Sequence, residues 1–250
     1  MTPEQAAEAT RAAVEELGGA FGESPRTKRR ARLMGLSGWA FHVAGRGGAL
    51  GDVRPDTVAA ALGLIAPEAV SDGWEAARRV TPPAGVAAQH LAECCRWGIE
   101  HFGQFPMVGR LVELTERIVV AADPAGMPLF AAWRAMPVPD DTHAARAAVL
   151  LHLLREHRAG ALLIAVRAAA LSPLEAVISG PEGEAGAIAY GWPPPYPPVG
   201  PLVRRRLWAD AVTDRIVGEA YAAIDDTERV ELVGLLDSAL VAVRNAPEIP

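Results

Sequence analysis

The residues most capable of chemistry lie in Trp133–Arg158, WRAMPVPDDTHAARAAVLLHLLREHR, which gathers three of the chain's six histidines among arginines and aspartates. Asp140 and Asp141 precede a helical pattern and suit a helix cap. His143 falls in the first turn, where the helix dipole favours the neutral imidazole over its cation. Asp141 and His143 are therefore the candidate catalytic proton acceptors. Arg155 lies three residues after His152, on the face that the leucines turn inward. A buried guanidinium there requires a protein carboxylate or an anionic ligand. Serine nucleophile chemistry has little footing, because no G-x-S-x-G elbow occurs and Ser37 in GLSGW lacks a preceding strand.

A second candidate is AGRGGALGDV, Ala44–Val53, with four glycines around Arg46. Counting a dinucleotide fingerprint from Gly45 gives Gly47 and then Leu50, so the third glycine is missing, and no Gly-Lys-Ser/Thr occurs anywhere. Two readings remain. The glycines end a helix and supply positive φ, or their backbone N–H groups join Arg46 in holding a sulfate, phosphate or carboxylate. With Trp39 and His42 just upstream, the candidate substrate-binding set is Trp39, His42, Arg46, Trp133 and Arg155.

His90, Cys94, Trp97 and His101 share one helical stripe. His90 and Cys94 make half a zinc site, but His101 is about 16 Å along the axis and no second cluster supplies ligands. A packed stripe is the better reading, and no metal or organic cofactor is expected. YGWPPPYPPVGP, Tyr190–Pro201, carries Trp192 and Tyr196 on a polyproline-like run that suits a semi-rigid connector.

Helical periodicity dominates the elements that must position these groups, and strand-like alternation is absent. The spacing predicts an all-α, multi-helix bundle. Its parts are a helical body over 1–179, a Gly/Pro-rich connector over 180–201 that is neither helix nor central strand, and a C-terminal helical pair over 202–250. Within the body, TPEQAAEATRAAVEEL reads as one helix stopped by Gly18-Gly19, and SPRTKRRAR as a basic turn. Asp140 or Asp141 caps a helix through about Arg158, with a further helical run after it.

Composition narrows the function classes. The net charge of −6 argues against a surface made to neutralise phosphate backbones. Lys28 is the sole lysine, so Schiff-base chemistry rests on it or on nothing. The adjacent Cys94 and Cys95 read as reduced thiols, the first residues do not resemble a signal peptide, and no apolar run spans a bilayer. A cytoplasmic protein is expected.

Two segments, GWAFHVAGRGGALGDVRPDTVAAALGLIAPEAVSDGWEAA and AGMPLFAAWRAMPVPDDTHAARAAVLLHLLREHR, resemble an actinobacterial family labelled helix-turn-helix, with a winged-helix-like C-terminal part. The resemblance covers about Leu33–Leu171. It departs at Ala159–Leu162, where the family carries a polar Gly-Asp-x-His, and at Tyr190–Pro201, where prolines stand in place of a polar recognition helix. More distantly the scaffold resembles a subunit of the two-protein, sulfate-eliminating aziridine-forming enzymes of azinomycin-type biosynthesis. That resemblance implies a cofactor-independent enzyme or enzyme subunit of specialised metabolism. Its partners would be a small anionic metabolite and a second subunit or another copy of the chain, with no nucleic acid and no membrane. The alternatives are a ligand-sensing helix-turn-helix regulator and a non-catalytic partner subunit.

Overall fold

A computed structural model describes residues 1–138, 140 and 142–245. The chain is all-helical, as the periodicity predicts. Its order is α1 (Pro3–Ala9), α2 (Arg11–Glu23), α3 (Pro25–Leu33), α4 (Gly38–Gly47), a 3-10 turn (Gly48–Leu50), α5 (Pro55–Leu62), α6 (Pro67–Arg78) and α7 (Pro83–Phe102). Then follow α8 (Val108–Ala121), α9 (Pro128–Arg134), α10 (His143–Ala168), α11 (Pro173–Ile178), α12 (Gly183–Ala189), α13 (Val203–Tyr221) and α14 (Asp226–Asn245). Proline opens α1, α3, α5, α6, α7, α9 and α11, where its fixed φ suits the first helical turn and its missing N–H costs nothing.

Helix α10 is the axis of the fold. Its 26 residues run about 39 Å, and it packs against α2, α7, α8, α9 and α13. Residues from Ala144 to Val166 are buried around most of its circumference, as expected of a helix enclosed by others. The main core surrounds it, and a smaller cluster around Val166, Leu171, Ile178 and Leu202 closes one end.

Several local expectations are corrected. The first helix divides at Thr10, whose hydroxyl bonds Tyr221 at 2.8 Å. It also runs through Gly18-Gly19 to Glu23 instead of stopping there, because α10 packs against that glycine pair. The basic segment is helix α3 and not a turn: Ser24 Oγ accepts the Thr27 N–H and Pro25 sits in the first turn. Thr142, not an aspartate, caps α10 by accepting the Ala145 N–H; Asp140 instead accepts the Thr142 N–H at 2.8 Å, and Asp141 lies outside the described residues. Helix α10 also absorbs the run that was expected to follow it.

Within 180–201 a two-turn helix, α12, interrupts the irregular run. The proline-aromatic part is fastened to the α5–α6 junction. Trp192 Nε1 donates to Leu64 O at 2.8 Å, and the Ala66 N–H donates to Tyr190 O at 2.9 Å. Helix α13 packs on both α1 and α10, and α14 on α1 and α2, so the last helices rest on the first. No helix among the described residues is long and apolar enough to cross a membrane.

Candidate functional site

The glycine run carries the end of helix α4, its C-cap at Gly48 and a 3-10 turn closed by Gly51, as the capping reading expects. Gly45 and Gly47 lie inside α4, and Gly48 begins the 3-10 turn with φ −65°. Their N–H groups are directed along the helix, so an anion cradle made of loop amides is not formed; only Gly51, at φ +84°, has the left-handed conformation. Close approach explains the glycines instead. A Cβ at Gly48 would stand 2.2 Å from Pro83 O, and one at Gly45 would stand 2.6 Å from His90 Nδ1. These contacts let α4 lie directly on α7.

That approach carries Arg46 into the interior. Its guanidinium meets the carboxylate of Glu156 on α10 in a two-pronged pair, Nε–Oε1 3.0 Å and Nη2–Oε2 2.9 Å. Arg155 Nη1 donates to the same Oε1 at 3.2 Å. One carboxylate therefore serves two guanidiniums, and Glu15, which also lines the cavity, acts on Arg155 through its charge. Burial alone would raise the Glu156 carboxyl, but Arg46, His152 and Arg155 hold it at about 2. Burial and the like charge of Arg46 lower Arg155. Arg155 makes this single protein hydrogen bond among the described residues, and its side chain is 27% accessible.

Arg46 and Arg155 both line a cavity of about 670 Å³, walled by Gly18–Arg26 together with His42, His90, His101 and His152. The imidazoles of His42, His90 and His152 are neutral at physiological pH. Burial, then Arg46 and Arg155, lowers His42 to about 4. Burial is the main cause at His152, also about 4, and at His90, which burial and the neighbouring His152 push well below the usual range. His152 Nδ1 stands 3.3 Å from Gly18 O, which can only accept, so the proton resides on Nδ1. Its Nε2 is thereby left unprotonated, buried and without a partner among the described residues. His90 Nδ1 is likewise unpartnered.

The candidate residues separate into groups. Arg46, Arg155 and His42 meet at the cavity. Trp39 stacks on His42 with ring centroids 5.7 Å apart and lines an adjoining space of about 380 Å³. Trp133 lines none of these spaces: it stands behind the site, donating to Arg46 O at 3.1 Å and packing edge-on against His152 at 4.7 Å. His143 is exposed at the start of α10, nine residues and about 13 Å of helix from His152, so it is not brought to the site. Glu156, His90, His152 and Tyr190, which lines the neighbouring spaces, were not in the candidate set. Glu156 was detectable as the carboxylate beside Arg155; nothing local marks Tyr190.

The stripe on α7 is packing. His90 sits among Phe21, Phe41, Trp133 and His152, and Trp97 stacks on His101 at 4.5 Å. Cys94 and Cys95 are free thiols, both buried. No group of three His, Cys, Asp or Glu residues placed to hold a metal occurs among the described residues.

The remaining charges of the REHR segment are structural. Arg158 pairs with Asp214 of α13 at 2.9 Å and donates to Ala7 O at 2.5 Å, while Arg11 also reaches Asp214. His157 is buried against Phe130, with centroids 4.9 Å apart.

Fold and site together define an all-helical protein with a pocket lined by arginines and histidines, open to solvent at the α3 end. The chain belongs to a helix-turn-helix family, whose model matches residues 7–196. Neither the curated proteins nor the solved structures gave a match, so the resemblance to aziridine-forming enzymes gains no support from these comparisons. Family membership weighs against the expectation that nucleic acid is no partner.

Proposed function

We propose that the protein binds a small anionic molecule in the cavity between α2, α4, α7 and α10, and acts on it without a cofactor, as an enzyme or enzyme subunit. The observation that supports this is Arg155: it shares its carboxylate with Arg46, its side chain makes no other hydrogen bond among the described residues, and it lines the cavity. Charge-assisted hydrogen bonds from guanidinium to an anionic group are the stronger kind. His152 Nε2 is the proton acceptor of this reading, since a neutral imidazole takes a proton from a substrate group within hydrogen-bond reach. The narrower reaction, in which a substrate's own amine displaces sulfate, uses the same groups. The N–C bond forms as the C–O bond breaks, sulfate leaves with the electron pair toward Arg155, and the ammonium proton passes to imidazole. That step rests on the sequence resemblance alone.

Calorimetric titration with inorganic sulfate tests the binding. Arg155→Ala is expected to weaken it at least about tenfold, the effect of losing charge-assisted hydrogen bonds, while the circular dichroism spectrum stays the same. Equal binding by both proteins would overturn the reading.

A second reading, a ligand-responsive regulator that binds DNA, draws on the family and on α3. Arg26, Lys28, Arg29, Arg30 and Arg32 of that helix are exposed, and Pro25 and Arg26 also line the cavity. Three of these cations are already engaged by Glu100, Glu23 and Glu93, which places this reading second. Gel-shift titration with DNA from the promoter of its own operon decides it: genuine binding weakens steeply with salt, and no shift at low salt removes the reading.

A further inference from the structure

The space around the arginines does not end at Arg155. A second cavity of about 620 Å³ shares Arg46 and Arg155 with the first and is also lined by Glu156. Its walls come from α5, α9 and α10 and include Leu50, Ala61, Leu62, Phe130 and Leu163. Beyond the shared charged cluster, only Thr57, Arg167 and Tyr190 among its lining residues are polar. Arg167 is exposed, and Tyr190 lies close enough to Arg46 and Arg155 to act on both electrostatically. A site for a small inorganic anion would need the first cavity alone. Two chambers of ligand size, one polar and one apolar, meeting at a guanidinium with unused donors, fit a molecule that is charged at one end and apolar at the other.

We infer that the ligand of this site is an amphipathic carboxylate or similar acid: its head is held by Arg155, which both cavities share, and its alkyl or ring body lies in the apolar chamber between α5, α9 and α10. This rests on the anion-binding reading above and adds the class of molecule. Each methylene buried in such a chamber strengthens binding about fourfold, so chain length is the diagnostic variable.

The test is calorimetric titration of the whole protein with acetate, octanoate and octanol, all below micellar concentrations. Octanoate is expected to bind at least about a hundredfold tighter than acetate, and octanol, lacking the charge, at least tenfold more weakly than octanoate. Ala61→Trp, which fills the apolar chamber, should weaken octanoate at least tenfold and leave sulfate binding unchanged. Leu163→Gln should act in the same direction through a milder change, and circular dichroism checks the fold of each. Octanoate no tighter than acetate, or octanoate binding unaffected by both substitutions, overturns the inference. If sulfate binding still depends on Arg155 in that case, the anion-binding reading stands by itself; if neither sulfate nor octanoate binds, both fall.

Discussion

Glu156→Ala is expected to destabilise the protein by about 3–5 kcal/mol, the usual cost of removing one partner from a buried ion pair. Glu156 is 1% exposed and accepts from both Arg46 and Arg155. Its loss leaves two like charges facing each other in the interior, with the Arg46 side chain only 11% accessible. Denaturant unfolding measures the effect. A loss below about 1 kcal/mol would mean that the arginines swing to solvent and that the cluster is not a fixed device. Removing the carboxylate's charge also gives an anion-specific signature. Sulfate should raise the melting temperature of Glu156→Gln more than that of the wild type, because a ligand stabilises in proportion to how tightly the folded state holds it. The same increment in both proteins would contradict the picture of one carboxylate balancing two guanidiniums.

Acid should unfold this protein early. His42, His152 and His157 titrate near 4 when folded, and His90 is also strongly lowered, with burial the leading cause in each case. In the unfolded chain these groups take up protons near 6.5. Because the unfolded state binds protons that the fold refuses, stability is complete above about pH 7 and falls as pH drops through 6.5 toward 4. Each histidine contributes up to about 1.4 kcal/mol per pH unit, so the four together cost on the order of 5 kcal/mol by pH 5.5. That is comparable with the whole stability of many domains. The depressed carboxylates do not cloud this window: Glu156 and Glu228, both held at about 2, lose their contribution only as pH falls below about 4.5. Urea unfolding at pH 7.5, 6.5 and 5.5 provides the measurement, and His152→Gln should flatten the slope by about one proton. An unfolding midpoint that stays level from pH 7.5 to 5.5 would show that these imidazoles are not kept neutral by burial.

Burial suppresses protonation of the imidazoles beside the arginines, and those neutral rings are the proton acceptors the proposed chemistry requires. Acid would therefore affect stability and the site's proton-accepting capacity over the same range.

The sequence by itself determined that the protein is helical, because apolar spacing and prolines at helix starts are local signals that survive in almost any packing. It also determined that Arg155 is directed inward and needs a charged partner, since burying a guanidinium alone is prohibitive. The tertiary structure decided what the glycines between Ala44 and Val53 do. Local rules place a helix end and turn there, which the structure contains, but only the proximity of Pro83 O and His90 shows that Gly45 and Gly48 are also the face on which α4 meets α7. It also decided which histidines share the cavity. His143 has the favourable position in the sequence but lies about 13 Å from His152, whereas His90 and His42 reach the arginines from two other helices. Periodicity gives the face on which a side chain sits, but which faces meet depends on how closely the backbones approach, and that is a property of the whole bundle.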